Sequence, residues 1–507
     1  MPELELESES PFTQSFDTLV NETLQRHHCP GTSISVIHND QTYSKAYGHS
    51  DLKSQTLVNT SQTLFYGCST TKAMLCAAWA IYISSAANRE KPEHEQIHFN
   101  TALANIIPED FVLPDRTVIV SLEDVLSHRS GMSRHELSYG YEAVDAPRGI
   151  TRNLRNLPLH NAIRTTFEYC NLGYVAASHA LDVVTGNSGF MREQIWRPLG
   201  MRDTFGGLRE AREGDVARLY SWGKNGEWKE EALMGLDEVA GAGYVISTAE
   251  DYAKWMRCLL RPSNHGPLSE EMVEELFKSR IPATFGGADS VPLDGGFANY
   301  ALGWFIGCYK GRKICYHAGG IIGGGSRVLL CPEIGWGATF LSNGQNSGVL
   351  LRGLLFELLD MALGEESTGY AKCEEVMPKF FEEMREQSET GFRKVFSNVP
   401  ERPTVPLALP LSRYAGIFRS VGYGNVEIKT GLDPASGEET LLCDIEDRTW
   451  RAKWTFRRIN GEHWRIDADP SRLPQARRAE SRVEHDGRIS WGIAMEPAML
   501  ENLIWFH

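Results

Sequence analysis

The chain has 507 residues, of which 42% are hydrophobic and 23% charged, as is usual for a globular protein long enough for two or more domains. Its formal net charge of −15 disfavours nucleic acids and anionic membranes as partners. The ten cysteines show no C-x-x-C pair and no zinc-ligand spacing. The acidic start lacks the features of a signal peptide, and no run approaches the roughly 20 apolar residues of a membrane span. We therefore expect a cytoplasmic protein.

Residues 1–14 are expected to form a disordered acidic tail, and periodicity then predicts helices and strands as far as residue 388. In chain order these are a helix over 16–24, a hairpin of 33–37 and 42–47 turning at Asn39-Asp40, a helix over 73–87, a Ser-capped helix over 121–127, a helix over 172–185, a strand at 241–246 followed by a capped helix over 252–260, antiparallel strands at 302–306, 313–317, 327–330 and 338–341, and helices over 348–364 and 374–388.

The helix over 73–87 is apolar nearly all round, which is typical of a buried helix. Ser69 lies at its start, where free N–H groups and the helix dipole favour a developing negative charge. Lys72 follows three residues later, so its amine shares a face with the Ser69 hydroxyl. Partial desolvation beside a helix N-terminus lowers the proton affinity of an amine, so Lys72 is a candidate base for a Ser69 nucleophile.

Taken alone, Ser-x-x-Lys is weak evidence, because a serine cap followed by a solvated lysine gives the same pattern. Two further segments strengthen it, namely Tyr169-Cys170-Asn171 and His317-Ala318-Gly319-Gly320. Ser-x-x-Lys, Tyr-x-Asn and a His/Lys-x-Gly element in this order are the signature of penicillin-recognising serine enzymes. Without that context His317 and His128 would be interpreted as core or loop histidines. The glycine-rich stretch 319–325 lacks the strand and helix that frame a nucleotide-binding loop, so we interpret it as a tight turn along the site.

These motifs resemble the serine β-lactamase-related family, which includes class C β-lactamases, D-alanyl-D-alanine peptidases, β-lactamase-like esterases and lovastatin-type acyltransferases. The resemblance covers roughly residues 15–365. It includes 126–132, similar to the family's LLSHTSGL, 167–174, similar to F.YSN.GY, and 198–204, similar to PLGM..T. The resemblance implies an antiparallel sheet flanked by helices, with an all-helical lobe.

By resemblance, Ser69 is the acyl-accepting nucleophile and Lys72 its base or relay. Tyr169 would carry the proton to the leaving group and then activate water or an acceptor alcohol. Asn171, His317, Gly319 and Gly320 would bind substrate, with the N–H groups of Ser69 and Gly320 meeting the oxyanion. The resemblance implies no metal and no cofactor. Bacterial lactamases have lysine where this chain has His317, and no acidic deacylation residue of the class A kind is identifiable. Both departures disfavour efficient penicillin hydrolysis.

Beyond a polar linker at 389–410, short alternating runs predict a β-barrel or sandwich domain over 411–507, similar in strand pattern to lipocalin-like domains. The predicted strands are 425–429, 441–445, 454–457, 464–466 and 489–493. A basic cluster of Arg472, Arg477, Arg478 and Arg482 is interpreted as a solvated loop. The catalytic domain is then expected over 15–388.

The function predicted from these residues is a serine hydrolase that forms an acyl-enzyme on Ser69 from a small-molecule ester, thioester or amide. The first alternative is an acyltransferase of secondary metabolism that passes the acyl group to an alcohol or amine. The second is a non-catalytic penicillin-binding-like scaffold. An acyl-carrier partner and a homo-oligomer both stay open.

Overall fold

The computed structural model describes residues 10–38, 41–140, 146–223, 225–262, 266–283, 292–396, 403–468, 476–496, 498 and 501–507. The first nine residues of the expected acidic tail, the hairpin turn at Asn39-Asp40 and Arg472 lie outside these ranges. The chain divides into two compact units. The first comprises Met1–Thr101, Ser121–Ser127 and Ala177–Met377, and the second comprises Ala102–Val120, His128–Ala176 and Pro378–His507.

The structure contains helices at most of the predicted positions, and their boundaries differ from the predicted ones by a few residues. In chain order they are α1 (Gln14–Arg26), α2 (Thr71–Ser84), α3 (Ala86–Arg89), α4 (Leu103–Ile106), α5 (Leu122–Leu126), α6 (Arg148–Asn153), α7 (Asn171–Thr185), α8 (Ala240–Gly243), α9 (Ala249–Leu260), α10 (Glu270–Leu276), α11 (Ser347–Leu350), α12 (Arg352–Leu363) and α13 (Gly369–Val395).

The strands of the first unit are β1 (Gly31–His38), β2 (Gln41–Asp51), β3 (Thr56–Leu57), β4 (Phe65–Tyr66), β5 (Phe205–Gly206), β6 (Leu219–Trp222), β7 (Trp228–Glu231), β8 (Val245–Ser247), β9 (Ile281–Ala283), β10 (Ala298–Tyr300), β11 (Phe305–Tyr309), β12 (Arg312–Ile321), β13 (Gly324–Cys331) and β14 (Trp336–Ser342). The strands of the second unit are β15 (Gly416–Ser420), β16 (Gly424–Leu432), β17 (Glu439–Asp444), β18 (Lys453–Asn460), β19 (His463–Ala468), β20 (Arg477–Val483), β21 (Ile489–Ile493) and β22 (Ile504–Phe506).

The main sheet of the first unit is antiparallel, in the order β3-β2-β1-β14-β13-β12-β11-β10-β9. Every residue of β13 and β14 is buried, and so is nearly all of β1, because helices cover both faces of the sheet. The chain turns between β13 and β14 at Pro332–Ile334, with Gly335 in the left-handed conformation at φ +60°. The predicted antiparallel sheet flanked by helices is confirmed.

The nucleophile helix α2 is buried along most of its length, from Thr71 to Ala80 and at Tyr82. This confirms that its all-round apolar sequence places it in the interior. The strand expected at 241–246 is partly wrong, since 240–243 form the single helical turn α8 and only Val245–Ser247 is a strand. The small residues Gly241, Ala242 and Gly243 let this turn pack closely against other backbone.

The second unit contains an antiparallel sheet whose strands follow chain order from β15 to β22. Arg419 and His507 exchange both backbone hydrogen bonds, at 2.9 and 3.0 Å, so the two edges of the sheet meet there and form a nearly closed barrel. Aromatic residues fill its interior, among them Trp454, Trp464 and Trp491. The interpretation of Arg477, Arg478 and Arg482 as a loop is wrong, because all three lie on β20. Within the described residues, no helix has the length and apolar character needed to cross a membrane.

Candidate active site

Ser69 lies in a short 3₁₀ turn, Cys68–Thr70, that leads from β4 into α2. Cys68 has φ +49°, a conformation that a non-glycine residue seldom adopts. The turn is held by the carbonyl of Gly67, which accepts hydrogen bonds from the Thr70 N–H at 3.2 Å and the Thr70 hydroxyl at 2.7 Å. Ser69 remains half-buried. The turn therefore fixes the nucleophile at the start of a buried helix while leaving its side chain partly accessible.

Lys72 completes the predicted pair with Ser69. Its Nζ donates a hydrogen bond to Ser69 Oγ at 3.0 Å and another to the carbonyl of Ala242 at 2.7 Å. The Lys72 side chain is fully buried. The α8 turn that supplies the Ala242 carbonyl was not anticipated, since no sequence signal marks which backbone oxygen will meet a lysine. The result is a buried amine within proton-transfer distance of a serine hydroxyl.

The third motif lies on β12, beside the nucleophile turn. A side-chain Cβ at Gly319 would lie 2.6 Å from the Gly67 oxygen and 2.8 Å from Cys68 Cβ, so only glycine permits this approach. Gly320 is exposed and has open space where a Cβ would lie. The strand thus contacts the turn that carries Ser69 and presents an accessible backbone position next to it.

His317 is a buried, neutral histidine, and each of its ring nitrogens makes a hydrogen bond within the protein. It is 2% exposed, and burial, followed by the charge of Lys72, lowers the pKa of His317 to about 3. The carbonyl of Ala318 can only accept, so Nδ1 carries the proton and donates to it at 2.6 Å. Nε2 then accepts from the Tyr300 hydroxyl at 3.0 Å. His317 therefore supplies no positive charge for a substrate carboxylate, and its contact with substrate stays a prediction.

Tyr169 and Asn171 lie together in the second unit, just before and at the start of α7. His128, in the left-handed conformation at φ +57°, holds this segment in place through two hydrogen bonds. Its Nδ1 accepts a hydrogen bond from the Cys170 N–H at 3.0 Å, and its backbone carbonyl accepts from the Glu168 N–H at 2.8 Å. The rings of His128 and Tyr169 lie 4.2 Å apart. His128 is thus a residue that orients the second motif.

Asn171 is oriented by a carboxylate that sequence reasoning missed. Its Nδ2 donates to Glu136 Oε1 at 2.8 Å, and since a carboxylate only accepts, the amide must face Glu136 through its nitrogen. The Asn171 oxygen is buried and has no hydrogen-bond partner among the described residues. It is therefore presented as an acceptor. Glu136 begins a 3₁₀ turn, Glu136–Ser138, in a stretch where no sequence pattern indicates its partner.

The structure accordingly gathers the predicted residues into two groups. Ser69, Lys72, His317, Gly319 and Gly320 belong to the first unit, and Tyr169 and Asn171 belong to the second. A profile of the Beta-lactamase family matches residues 16–358, which include both groups. The chain belongs to the β-lactamase family.

Proteins similar to this β-lactamase-family chain include two from Aspergillus species and one of known structure from Pyrococcus abyssi. An unguisins hydrolase of Aspergillus campestris is 30% identical over 98% of this chain and 92% of its own length. An unguisins hydrolase of Aspergillus violaceofuscus is 31% identical, over 89% of this chain and 82% of its own. The octameric penicillin-binding protein homologue from Pyrococcus abyssi superposes with a TM-score of 0.61 at 17% identity, covering 97% of this chain and 99% of that one.

Family membership supports the status of this chain as an enzyme of the serine hydrolase type. The similarity to the archaeal structure extends over nearly the whole chain, so it includes the C-terminal barrel. That likeness concerns the fold, because the identity is only 17%. The two fungal relatives carry the name hydrolase, which agrees with the first of the predicted activities at the level of the class.

Proposed function

We propose that the protein hydrolyses an ester, thioester or amide through a covalent acyl-enzyme on Ser69. The observation that carries this proposal is the Lys72 amine, fully buried and 3.0 Å from Ser69 Oγ. Such a pair can transfer the hydroxyl proton as the oxygen attacks a carbonyl carbon. The tight contact of Gly319 with the nucleophile turn further supports an oxyanion site made by the N–H groups of Ser69 and Gly320.

The proposed reaction has two halves. Ser69 Oγ attacks the carbonyl carbon, its proton passes to the base formed by Lys72 and Tyr169, and the carbonyl electron pair moves onto oxygen. The intermediate then collapses, and the leaving group departs with that proton. Water attacks the acyl-enzyme by the same route, its proton returns through the base to Ser69, and the acid is released. Tyr169 enters this scheme from the family motif.

For the substrate, we infer a compound of the kind for which the fungal relatives are named, an unguisin. The support is the 30–31% identity of two unguisins hydrolases over most of this chain. Weak or absent β-lactam turnover fits the neutral His317, because β12 lacks the cation that bacterial lactamases place there.

The decisive experiment combines an unguisin substrate with ¹⁸O-labelled water. We expect products whose masses sum to substrate plus water, with the label in the new carboxyl group. The variant Ser69→Ala should give no product, whereas Ser85→Ala, at the other end of α2, should behave as wild type because the Ser85 hydroxyl donates locally, to the Tyr82 carbonyl.

Two results would replace the proposal. If an acyl-enzyme forms but decays only when an alcohol or amine is added, the protein is an acyltransferase. If neither unguisins nor activated esters nor a fluorophosphonate give an adduct on Ser69, the protein is a non-catalytic member of its family.

A further inference from the structure

Arg134 lies against the ring of Tyr169 in the second unit. Its guanidinium carbon is 5.3 Å from the centre of that ring, and its side chain is 42% exposed. The guanidinium is also held by Glu136, to which Nη2 donates at 2.7 Å. A cation in this position favours extra electron density in an aromatic ring, and a tyrosinate ring carries more than a neutral tyrosine ring.

The segment that carries Arg134 is anchored on both sides. His135, in the left-handed conformation at φ +46°, bonds the Tyr423 hydroxyl through Nδ1 and the Pro158 carbonyl through Nε2. The backbone N–H of Glu136 donates to Glu496 Oε1 at 3.2 Å. Tyr423 and Glu496 both belong to the C-terminal barrel region, so that region holds the loop in place.

Charged groups of both signs lie near this contact. Glu136 and Glu496 act on Arg134, Arg477 acts on the same two carboxyl groups, and His128 and Glu168 lie next to Tyr169. Burial lowers the pKa of His135 to about 4, so that ring is neutral. Burial also raises the pKa of Glu496 to about 7, so its negative charge is incomplete near neutral pH. Arg134 is the cation that lies directly over the Tyr169 ring.

In the third motif His317 supplies no positive charge, because its buried ring is neutral. We propose that Arg134 takes that electrostatic role, as a positioning residue that stabilises the ionised form of Tyr169 while Tyr169 accepts the proton from Ser69. This inference rests on the proposed function. Arg134 makes or breaks no bond in the step. Glu136 partly offsets the positive charge of Arg134 and holds its guanidinium over the Tyr169 ring.

The test follows the pH dependence of phosphonylation by a fluorophosphonate probe, measured on the full chain by intact mass. Ser69 Oγ displaces fluoride from phosphorus and its proton goes to the base, so the rate reports base ionisation without a physiological substrate. In Arg134→Met, we expect the rising limb of the pH–rate profile to move up by about one pH unit, because a nearby charge commonly shifts a pKa by about that amount. The rate should fall about tenfold at pH 7 and approach wild type at high pH.

Two further variants give effects that a structural role would not. Arg134→Lys should restore most of the shift, since it keeps the charge. Glu136→Gln should move the limb in the opposite direction, to lower pH, because it removes a negative charge while its amide oxygen still accepts from Asn171. Arg152→Met is the matched control, because Arg152 is also half-exposed, at 46%, and pairs with one carboxylate, Asp110.

The inference is overturned if the rate of Arg134→Met falls by the same factor at every pH, or if the rising limb stays in place. It is also overturned if Arg134→Lys fails to return the limb toward its wild-type position. These outcomes differ from failure of the proposed function. In that case the wild type would form no adduct, or Ser69→Ala would form the same one.

Discussion

Gly319→Ala tests whether the contact between β12 and the nucleophile turn builds the site. The new Cβ would lie 2.3 Å from Ser326 Oγ, 2.6 Å from the Gly67 oxygen and 2.8 Å from Cys68 Cβ. The Ser326 side chain can rotate, but the Gly67 carbonyl is backbone and already accepts bonds from Ser326 and Thr70. The strand must therefore recede by roughly 0.5–1 Å to reach ordinary contact distances.

Two magnitudes follow from this displacement. Overpacking of this kind costs about 1–3 kcal/mol of unfolding free energy. Moving a positioned group by ~1 Å, or losing one oxyanion donor, lowers turnover by roughly 10²-fold or more. We expect Gly319→Ala to be modestly less stable and at least about 100-fold slower in forming the Ser69 adduct.

The assay pairs the rate of fluorophosphonate labelling with urea-induced unfolding. Gly320→Ala serves as the stability control, because no atom lies within 4 Å of its added Cβ and its unfolding free energy should match wild type. A Gly319→Ala enzyme with wild-type stability and labelling rate would show that the strand can move away freely, and would refute the reasoning.

Three further predictions concern single groups. Ser69→Ala should lose adduct formation and turnover with its unfolding transition intact, and intact mass spectrometry after labelling checks this; a persisting adduct would point to another nucleophile. Tyr169→Phe should lower turnover by roughly two to four orders of magnitude, Lys72→Ala at least as much, and the double variant little more, because groups that share one proton act as a unit; multiplicative losses in steady-state kinetics would argue for separate roles. Burial raises the pKa of Glu496 from 4.5 to about 7, so the folded protein holds a proton that the unfolded chain releases, and unfolding free energy falls as pH rises through that window. Glu496→Gln should therefore gain stability relative to wild type between pH 5 and pH 8 in urea titrations, and an equal difference at both pH values would contradict the assignment.

The sequence was most informative where the local pattern and the burial agree. The all-apolar helix after Lys72 and the Ser121 cap needed no knowledge of distant residues; the structure shows that Asp124 extends this cap to a capping box. The strand at 241–246 failed because small residues favour no particular element, and contact of the Ala242 carbonyl with Lys72 decided the turn.

In the barrel, too, the local sequence pattern predicted only some of the strands. Strands β15, β20 and β22 were missed, and β20 was interpreted as a loop because it carries charges and lacks the apolar alternation that predicted the other strands. Its inward positions are the small residues Ala479 and Ser481, with the Ser481 hydroxyl accepting from Trp464 Nε1 at 3.0 Å. The roles of Arg134 and Glu136 could not be predicted either. Their partners, Tyr169 and Asn171, are distant in the chain and come close only in the fold.

The order of strands in the main sheet also governs how the chain is made. Thr32 of β1 pairs with Ser342 of β14, so on a ribosome adding roughly 5–20 residues per second the partner strand emerges about 310 residues, or roughly 15–60 s, later. During that time the β1–β2 hairpin has an unpaired edge, and pairings over such separations form slowly. Ser69 and Lys72 are synthesised early, yet β12, which contacts their turn, comes more than 200 residues afterwards. The nascent chain thus carries its nucleophile through about half of its synthesis without the strand that would make it reactive.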